Sequence, residues 1–414
     1  MRCGPGNGSV GYKSQSSQFV VGGSLRIGNN NMAYSNPESQ AAVSRLLINS
    51  IIFLILCGGA AVSAQAQDPQ ANSSDESWTA TTENSVTNGN PSRTTESHAK
   101  SGNRSVDRQR VEVLGPNGRY QPDSETETET VRVNDTTTRT VVRTYTWDGN
   151  GRRKLARVTE EEARSTASGD AHVVRTTSSS DVNGNLRAVQ RETAETRKTS
   201  PDVQETKTTV YLADGNGGFT TSRQTQELQK RAADHRLEEK KTTLVPDGNG
   251  SWKVGEVKEK TIQEDGKNRT TEERVSRPDL QGRLSEFSRT VGEETETTAG
   301  EKNNTTDTYS TNIPGLAGDG RLHLNERVTT VQKKNSDGGT TERQVELPNP
   351  GNPNDGRQVR AKTKYIVLYG ASGTQQTKTI QERDLNGNLN VVSVEKRKSD
   401  QVAPPAQAPS DKPQ

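Results

Sequence analysis

Residues 136–147 read TTTRTVVRTYTW and run straight into Asp148-Gly149-Asn150-Gly151. Thr and Val dominate the stretch, and β-branched side chains suit the pleated, half-exposed surface of a strand. The Asn-Gly that follows supplies the positive-φ residues a type I′ hairpin turn needs. Strand then hairpin is therefore the local reading.

The same turn, of the type Asp-x-Asn-Gly, has its glycine at 118, 151, 184, 217 and 250, a constant interval of 33 residues. It continues less strictly at Gly282, Gly320, Gly356 and Gly387. A fixed period of this length signals copies of one supersecondary unit. Turn signals also stand near the middle of the units, at Asn134-Asp135, Ser168-Gly169-Asp170, Ser200-Pro201-Asp202, Asp265-Gly266, Asp337-Gly338-Gly339 and Gly370 to Gly373. The segments between turns, of about 12 residues, would be strands ~40 Å long. The expected fold is all-β: about nine 33-residue β-hairpin units over 109–398, forming an extended, largely single-layer antiparallel meander of roughly 16 to 18 strands.

Only 26% of the 414 residues are hydrophobic and 4% aromatic, which excludes a large packed core. On most strands both alternating faces carry Thr, Lys, Arg, Glu or Gln. The 55 Lys and Arg against 53 Asp and Glu are interspersed, so no electrostatic footprint for nucleic acid or an anionic membrane arises. The apolar residues gather near the Asn-Gly turns: Tyr120, Leu186, Phe219, Trp252, Leu284, Leu322 and Leu389 follow the repeat glycine by two positions, and Tyr145, Trp147, Tyr211, Leu212, Leu244 and Val245 precede turns. At a constant spacing they form one stripe, read as a minimal core along one margin. Its aromatic members, Tyr120, Trp147, Phe219 and Trp252, are the candidate binding residues for a surface glycan, since aromatic faces are platforms for sugar rings.

Ahead of the strands, Leu46–Cys57 (LLINSIIFLILC) and Ala64-Gln65-Ala66 read as a secretory signal over 46–66, or as a membrane anchor over 46–64. Residues 1–45 read as a leader, with Met32 as an alternative start. Residues 67–108 read as a polar disordered linker and 399–414 as a Pro-rich disordered tail. Cys3 and Cys57 both fall at or before the hydrophobic segment, so the exported chain carries no thiol.

Asp181, Asn183, Asn185 and Asp384, Asn386, Asn388 place oxygen side chains at alternate positions, as a calcium loop does. The glycine stands at the fourth position instead of the sixth, and the flanks read as strands, so hairpin turns are the simpler reading. His98, His172, His235 and His323 have no ligand spacing, and no nucleophile elbow or phosphate loop is present. No catalytic residue, metal or cofactor is expected, and the chain reads as a non-enzyme.

Asp279-Leu280-Gln281-Gly282-Arg283-Leu284 resembles the D-x-x-G-R-L core of the YD repeats of Rhs-type and teneurin-like proteins, and Asp319-Gly320-Arg321-Leu322 echoes it. That resemblance implies a secreted β-shell or surface filament. The functional expectation is a secreted or cell-surface repeat protein with a structural, spacer or adhesive role. Its expected partners are a surface glycan, extracellular matrix, or further copies pairing through open sheet edges. The alternatives are a glycan-binding adhesin, a disordered secreted repeat polymer, and an outer-membrane β-barrel. The last needs a lipid-facing apolar row and aromatic girdles, whereas charge occupies both faces here.

Overall fold

The computed structural model describes residues 76–399, apart from 88, 233, 299–300, 312–320, 350–355 and 371–372. The leader, the 46–66 segment and the tail from 400 lie outside the described residues. Twenty strands follow one another. The first ten are β1 (Glu76–Val86), β2 (Ser92–Ser101), β3 (Arg104–Leu114), β4 (Tyr120–Arg132), β5 (Thr137–Trp147), β6 (Arg153–Ser165), β7 (Ala171–Ser180), β8 (Leu186–Ser200), β9 (Val203–Ala213) and β10 (Phe219–Arg231). The rest are β11 (Arg236–Pro246), β12 (Trp252–Asp265), β13 (Asn268–Pro278), β14 (Leu284–Thr298), β15 (Glu301–Ser310), β16 (His323–Asn335), β17 (Gly338–Pro348), β18 (Arg357–Gly370), β19 (Gly373–Arg383) and β20 (Leu389–Ser399).

Each strand pairs antiparallel with the next, and β1 pairs with β20, from Ala80↔Ser399 to Val86↔Ser393. The sheet is therefore a closed 20-stranded barrel and not the open meander of hairpin units expected from the period. Closure satisfies the backbone groups that an open sheet leaves bare along its two outermost strands. The open edges on which self-association rested do not exist. Nor is 76–108 a linker: it forms β1, β2 and the first part of β3.

Turn chemistry divides the two rims. Odd-to-even hairpins meet at one end, here termed the Asp-Gly rim. In most of its turns an aspartate N–H donates to the carbonyl four residues on, as in Asp181 N to Asn185 O at 2.9 Å. Gly184 N returns to Asp181 O at 3.0 Å. In the turns at Asp148, Asp181, Asp279 and Asp384 only the one glycine has positive φ, +83° at Gly184, whereas the turns at Asp214 and Asp247 have two, Gly215 with Gly217 and Gly248 with Gly250. His235 is the sole non-glycine with positive φ among the described residues. The expected type I′ turn requires two adjacent such residues, so the turns with a single one are instead type I turns closed by a left-handed glycine.

Four or five residues past the repeat glycine every even strand from β4 to β20 carries one extra residue opposite its odd partner: Asp123, Ala156, Val189, Ser222, Gly255, Phe287, Asn325, Arg360 and Val392. A bulge of this kind bends a strand and increases its local twist, and is common at barrel rims. A ring of them sharpens curvature next to the Asp-Gly rim and helps the wall to close.

Register assigns each residue to a face, because directly opposed residues share one. The buried apolar residues, Ala80, Val210, Ile262 and Val345, all fall on the same face. Side chains converge on the concave side of a closed wall, so this is the lumen face. No large side chain is fully buried among the described residues. The wall is one strand thick, and its stability comes from the hydrogen-bond ladder and cross-strand pairs instead of a core.

Candidate functional site

The lumen wall is built from hydroxyls and paired charges. Thr130 and Thr140 approach at 3.4 Å between Oγ1 atoms, Thr159 and Thr177 at 3.3 Å, and Thr196 and Thr206 at 3.0 Å. Arg175 reaches across three strands, its Nη2 2.6 Å from Glu161 Oε2 and its Nη1 3.2 Å from Glu192 Oε1. Beside the closing seam, Arg397 Nη2 lies 2.7 Å from Glu96 Oε2 and Lys378 Nζ 3.4 Å from Glu395 Oε2. Such a surface binds water well and offers both signs of charge to a polar solute.

One niche interrupts it. A single row runs Leu237–Ile262–Thr271–Gly292–Thr306–Val328–Val345–Ala361 round part of the lumen. Gly292 contributes no side chain, and a Cβ there would meet nothing closer than Thr306 Oγ1 at 3.6 Å. The resulting hollow is about 160 Å³, lined by Arg269, Thr271, Thr290, Gly292, Glu294, Asn304 and Thr306. All seven are on the lumen face by register. Sequence reasoning missed this niche, since a mid-strand glycine without a repeat partner carries no motif.

Most of the expected stripe lies on the outer face and is half-buried or exposed, while Leu212 and Val245 fall on the lumen face by register. Leu186, Phe219, Trp252 and Leu284 retain 36–50% of their surface. The reading of this stripe as a minimal core does not hold, because the buried apolar residues Ala80, Val210, Ile262 and Val345 are on the other face. Tyr120 lies under the Arg93 guanidinium, 4.4 Å from the ring centre, and Trp147 faces Arg110 at 5.8 Å. Phe219 and Trp252 open β10 and β12 at the same rim without such a cover. The four candidate binding residues thus share a rim and a face.

The oxygen-bearing turn residues are engaged by the backbone. Asp181 Oδ1 accepts from the N–H of Asn183 and of Asn185, both at 2.9 Å. Asp384 Oδ1 accepts from Asn386 at 2.9 Å and Asn388 at 2.8 Å. Asp148 and Asp279 do the same. The amide four residues on, from Arg152, Asn185, Arg283 and Asn388 respectively, is the chief reason these four carboxyls are held below the ordinary aspartate range. The turn spacing that resembled a calcium loop is accounted for by this capping geometry.

The outer face is charged as well. Arg143 bridges Glu127 at 3.3 Å and Glu129 at 3.1 Å, and Arg108 and Arg104 reach the same two carboxylates at 2.9 and 2.8 Å. On the far side Arg327 and Asp307 form a two-pronged pair.

No family model and no curated protein matches this sequence. Among solved structures, the chain is similar to the copper transporter OprC (7% identity, TM-score 0.42, covering 78% of this chain and 80% of that one). It is also similar to the siderophore receptor PirA from Pseudomonas aeruginosa (8%, 0.41, 78% and 80%) and to OccK3 (OpdO) of Pseudomonas aeruginosa (10%, 0.35, 79% and 94%). Identities and TM-scores this low transfer no activity, and the functional reading rests on the barrel's own geometry. The expected structural, spacer or adhesive repeat protein is overturned by closure: a sheet sealed on itself around a polar lumen is not a free-standing array.

Proposed function

We propose that the protein is an exported β-barrel of the outer-membrane type, whose lumen is an aqueous passage for small polar solutes. The observation that carries this reading is closure of twenty antiparallel strands into one wall with a polar inner face. Barrels of sixteen or more strands enclose more space than side chains can fill, and an even-numbered up-and-down meander is the architecture of bacterial outer-membrane barrels. The export-type segment at 46–66 supports placement in the cell envelope. In the lumen, Thr hydroxyls and paired Arg and Glu replace part of a solute's hydration, and the Gly292 niche widens the path beside Arg269 and Glu294.

Planar-bilayer recording on the detergent-solubilised full chain tests this directly. Discrete ohmic conductance steps are the expected result; a bilayer that stays sealed with protein bound would overturn it.

The outer charges favour a second reading. Arg or Lys facing lipid at mid-membrane costs about 2–4 kcal/mol each, and nearly every strand presents a charge outward. In this reading the wall stands in water and only one rim meets lipid. Purification without detergent as a soluble particle is its expected signature.

A further inference from the structure

The Asp-Gly rim concentrates exposed apolar surface. Among the described residues, the large apolar side chains most open to solvent lie at this end, with Val133, Leu228, Leu368 and Tyr369 as the exceptions. Three of them project from the turn tips with no cover at all: Val182, Leu280 and Leu385, at 101, 101 and 106% exposure. Each occupies the second position of its turn, beside the aspartate that caps it.

Their placement round the barrel is regular. Val182 joins β7 to β8, Leu280 joins β13 to β14, and Leu385 joins β19 to β20. The tips are six strands apart, six strands apart and, across the seam, eight strands apart. They divide the rim into near-thirds. The corresponding positions of neighbouring turns are small, as at Gly149, Gly215 and Gly248.

Charge at this rim favours a phosphate-bearing surface. The turn carboxylates fold back onto backbone amides, leaving Asp148 and Asp181 side chains about a fifth exposed, at 21% and 20%. The cations beside them pair with these carboxylates, Lys154 with Asp148 and Arg187 with Asp181 at 3.2 Å and Arg283 with Asp279 at 3.1 Å, yet stay far more open than their partners, at 65, 76 and 78% exposure. Arg119, Arg152 and Lys253 are exposed at the same end. Long cationic side chains reach phosphates while their stems cover apolar surface, and guanidinium binds phosphate in a two-pronged fork.

We propose that Val182, Leu280 and Leu385 form a three-point footing by which the Asp-Gly rim docks on a phospholipid bilayer, the three tips entering the headgroup–acyl boundary and the rim cations meeting lipid phosphates. Three contacts near 120° apart would hold the barrel axis close to the membrane normal and set the lumen mouth against the bilayer. The inference rests on the second reading above, in which the wall stands in water and one rim meets lipid, and the assay below separates it from the passage reading.

The test places an environment-sensitive fluorophore on single cysteines, Val182→Cys, Leu280→Cys, Leu385→Cys and, at the other rim, Val133→Cys, in the full chain with Cys3 and Cys57 replaced by Ser. Vesicles of phosphatidylcholine, alone and with phosphatidylglycerol, are then added. The expected result is a blue shift and quenching by brominated lipid at all three tips and neither at position 133. With Asp at the other two tips, the probe at 280 should need roughly 100- to 10,000-fold more lipid, since burying each aliphatic side chain is worth about 1.5–3 kcal/mol and every 1.4 kcal/mol is tenfold. All three tips have open solvent around them, so these changes leave the thermal melt unaltered. Tips that stay in water, or a single buried tip, would overturn the footing. Burial at position 133 as well as at the tips would also overturn it. Conductance is read separately, so a docked rim without conductance removes the passage and keeps the footing.

Discussion

The two rims of this barrel are made from the same residue types but held by different physics. At the Asp-Gly rim, six turns are each fastened by a carboxylate that accepts two backbone amides, and the left-handed glycine stands in open space in most of them: a Cβ on Gly184 would meet nothing within 4 Å. At the opposite rim most turns are capped by neutral oxygens, as where Asn134 Oδ1 accepts from Thr136 N at 3.0 Å and Thr166 Oγ1 from Asp170 N at 3.1 Å. There Gly338 is required by space, because a Cβ would run into the Val367 carbonyl of the neighbouring strand. The first rim depends on charge and dihedral angle; the second also uses left-handed glycines, at Gly102, Gly169 and Gly266, and adds a close approach at Gly338.

Substitution should expose the difference. Gly338→Ala forces β17 and β18 apart and is expected to cost roughly 3 kcal/mol, read from the denaturation midpoint. Gly184→Ala meets no neighbour and pays only for the left-handed backbone, about 1–2 kcal/mol. Gly184→Asn should cost a few tenths of that range, since Asn tolerates this conformation. An equal loss for Gly338→Ala and Gly184→Ala would erase the distinction between the rims.

Acid should separate the rims more gently. Asp148, Asp181, Asp279 and Asp384 have folded-state pKa values below their unfolded ones. Their contribution is therefore complete above the ordinary aspartate pKa and is lost as pH falls through the lowered value. Amide exchange in acid should accelerate first at residues 148–152, 181–185, 279–283 and 384–388, while the Asn134 and Thr166 turns are unaffected. The smallest expected effect on stability is that of Gly292→Arg, which fills the niche; it should leave the melt in place and reduce solute passage.

Much of the wall was legible in the sequence. The β-branched runs gave the strands and the Asn-Gly and Asp-Gly pairs gave the reversals, because both signals are local. Closure was not, because it depends on pairing between Glu76–Val86 and Leu389–Ser399, more than 300 residues apart in the chain. β1 reads ESWTATTENSV, with almost no apolar alternation to distinguish a strand solvated on both sides from a linker. Faces were hidden for a related reason: the extra residue at each bulge, such as Val189 or Ser222, inverts the alternation part-way along every even strand from β4. The aromatic stripe was found by its spacing, yet its side of the wall follows only from register around a closed sheet. The Gly292 niche needs three neighbouring strands before it exists at all.

Closure of β1 on β20 is the central claim, and the most direct test links Ser85→Cys to Val394→Cys, which are register partners across the seam. Opposed residues of antiparallel strands have Cα atoms about 4.5–5.5 Å apart, within disulfide reach. In an open meander the first and last of twenty strands would stand roughly 90 Å apart at ~4.8 Å per strand. With Cys3 and Cys57 replaced by Ser, mild oxidation should give a monomeric, internally linked product in high yield. Reduced monomer, or links formed only between molecules, would contradict the barrel.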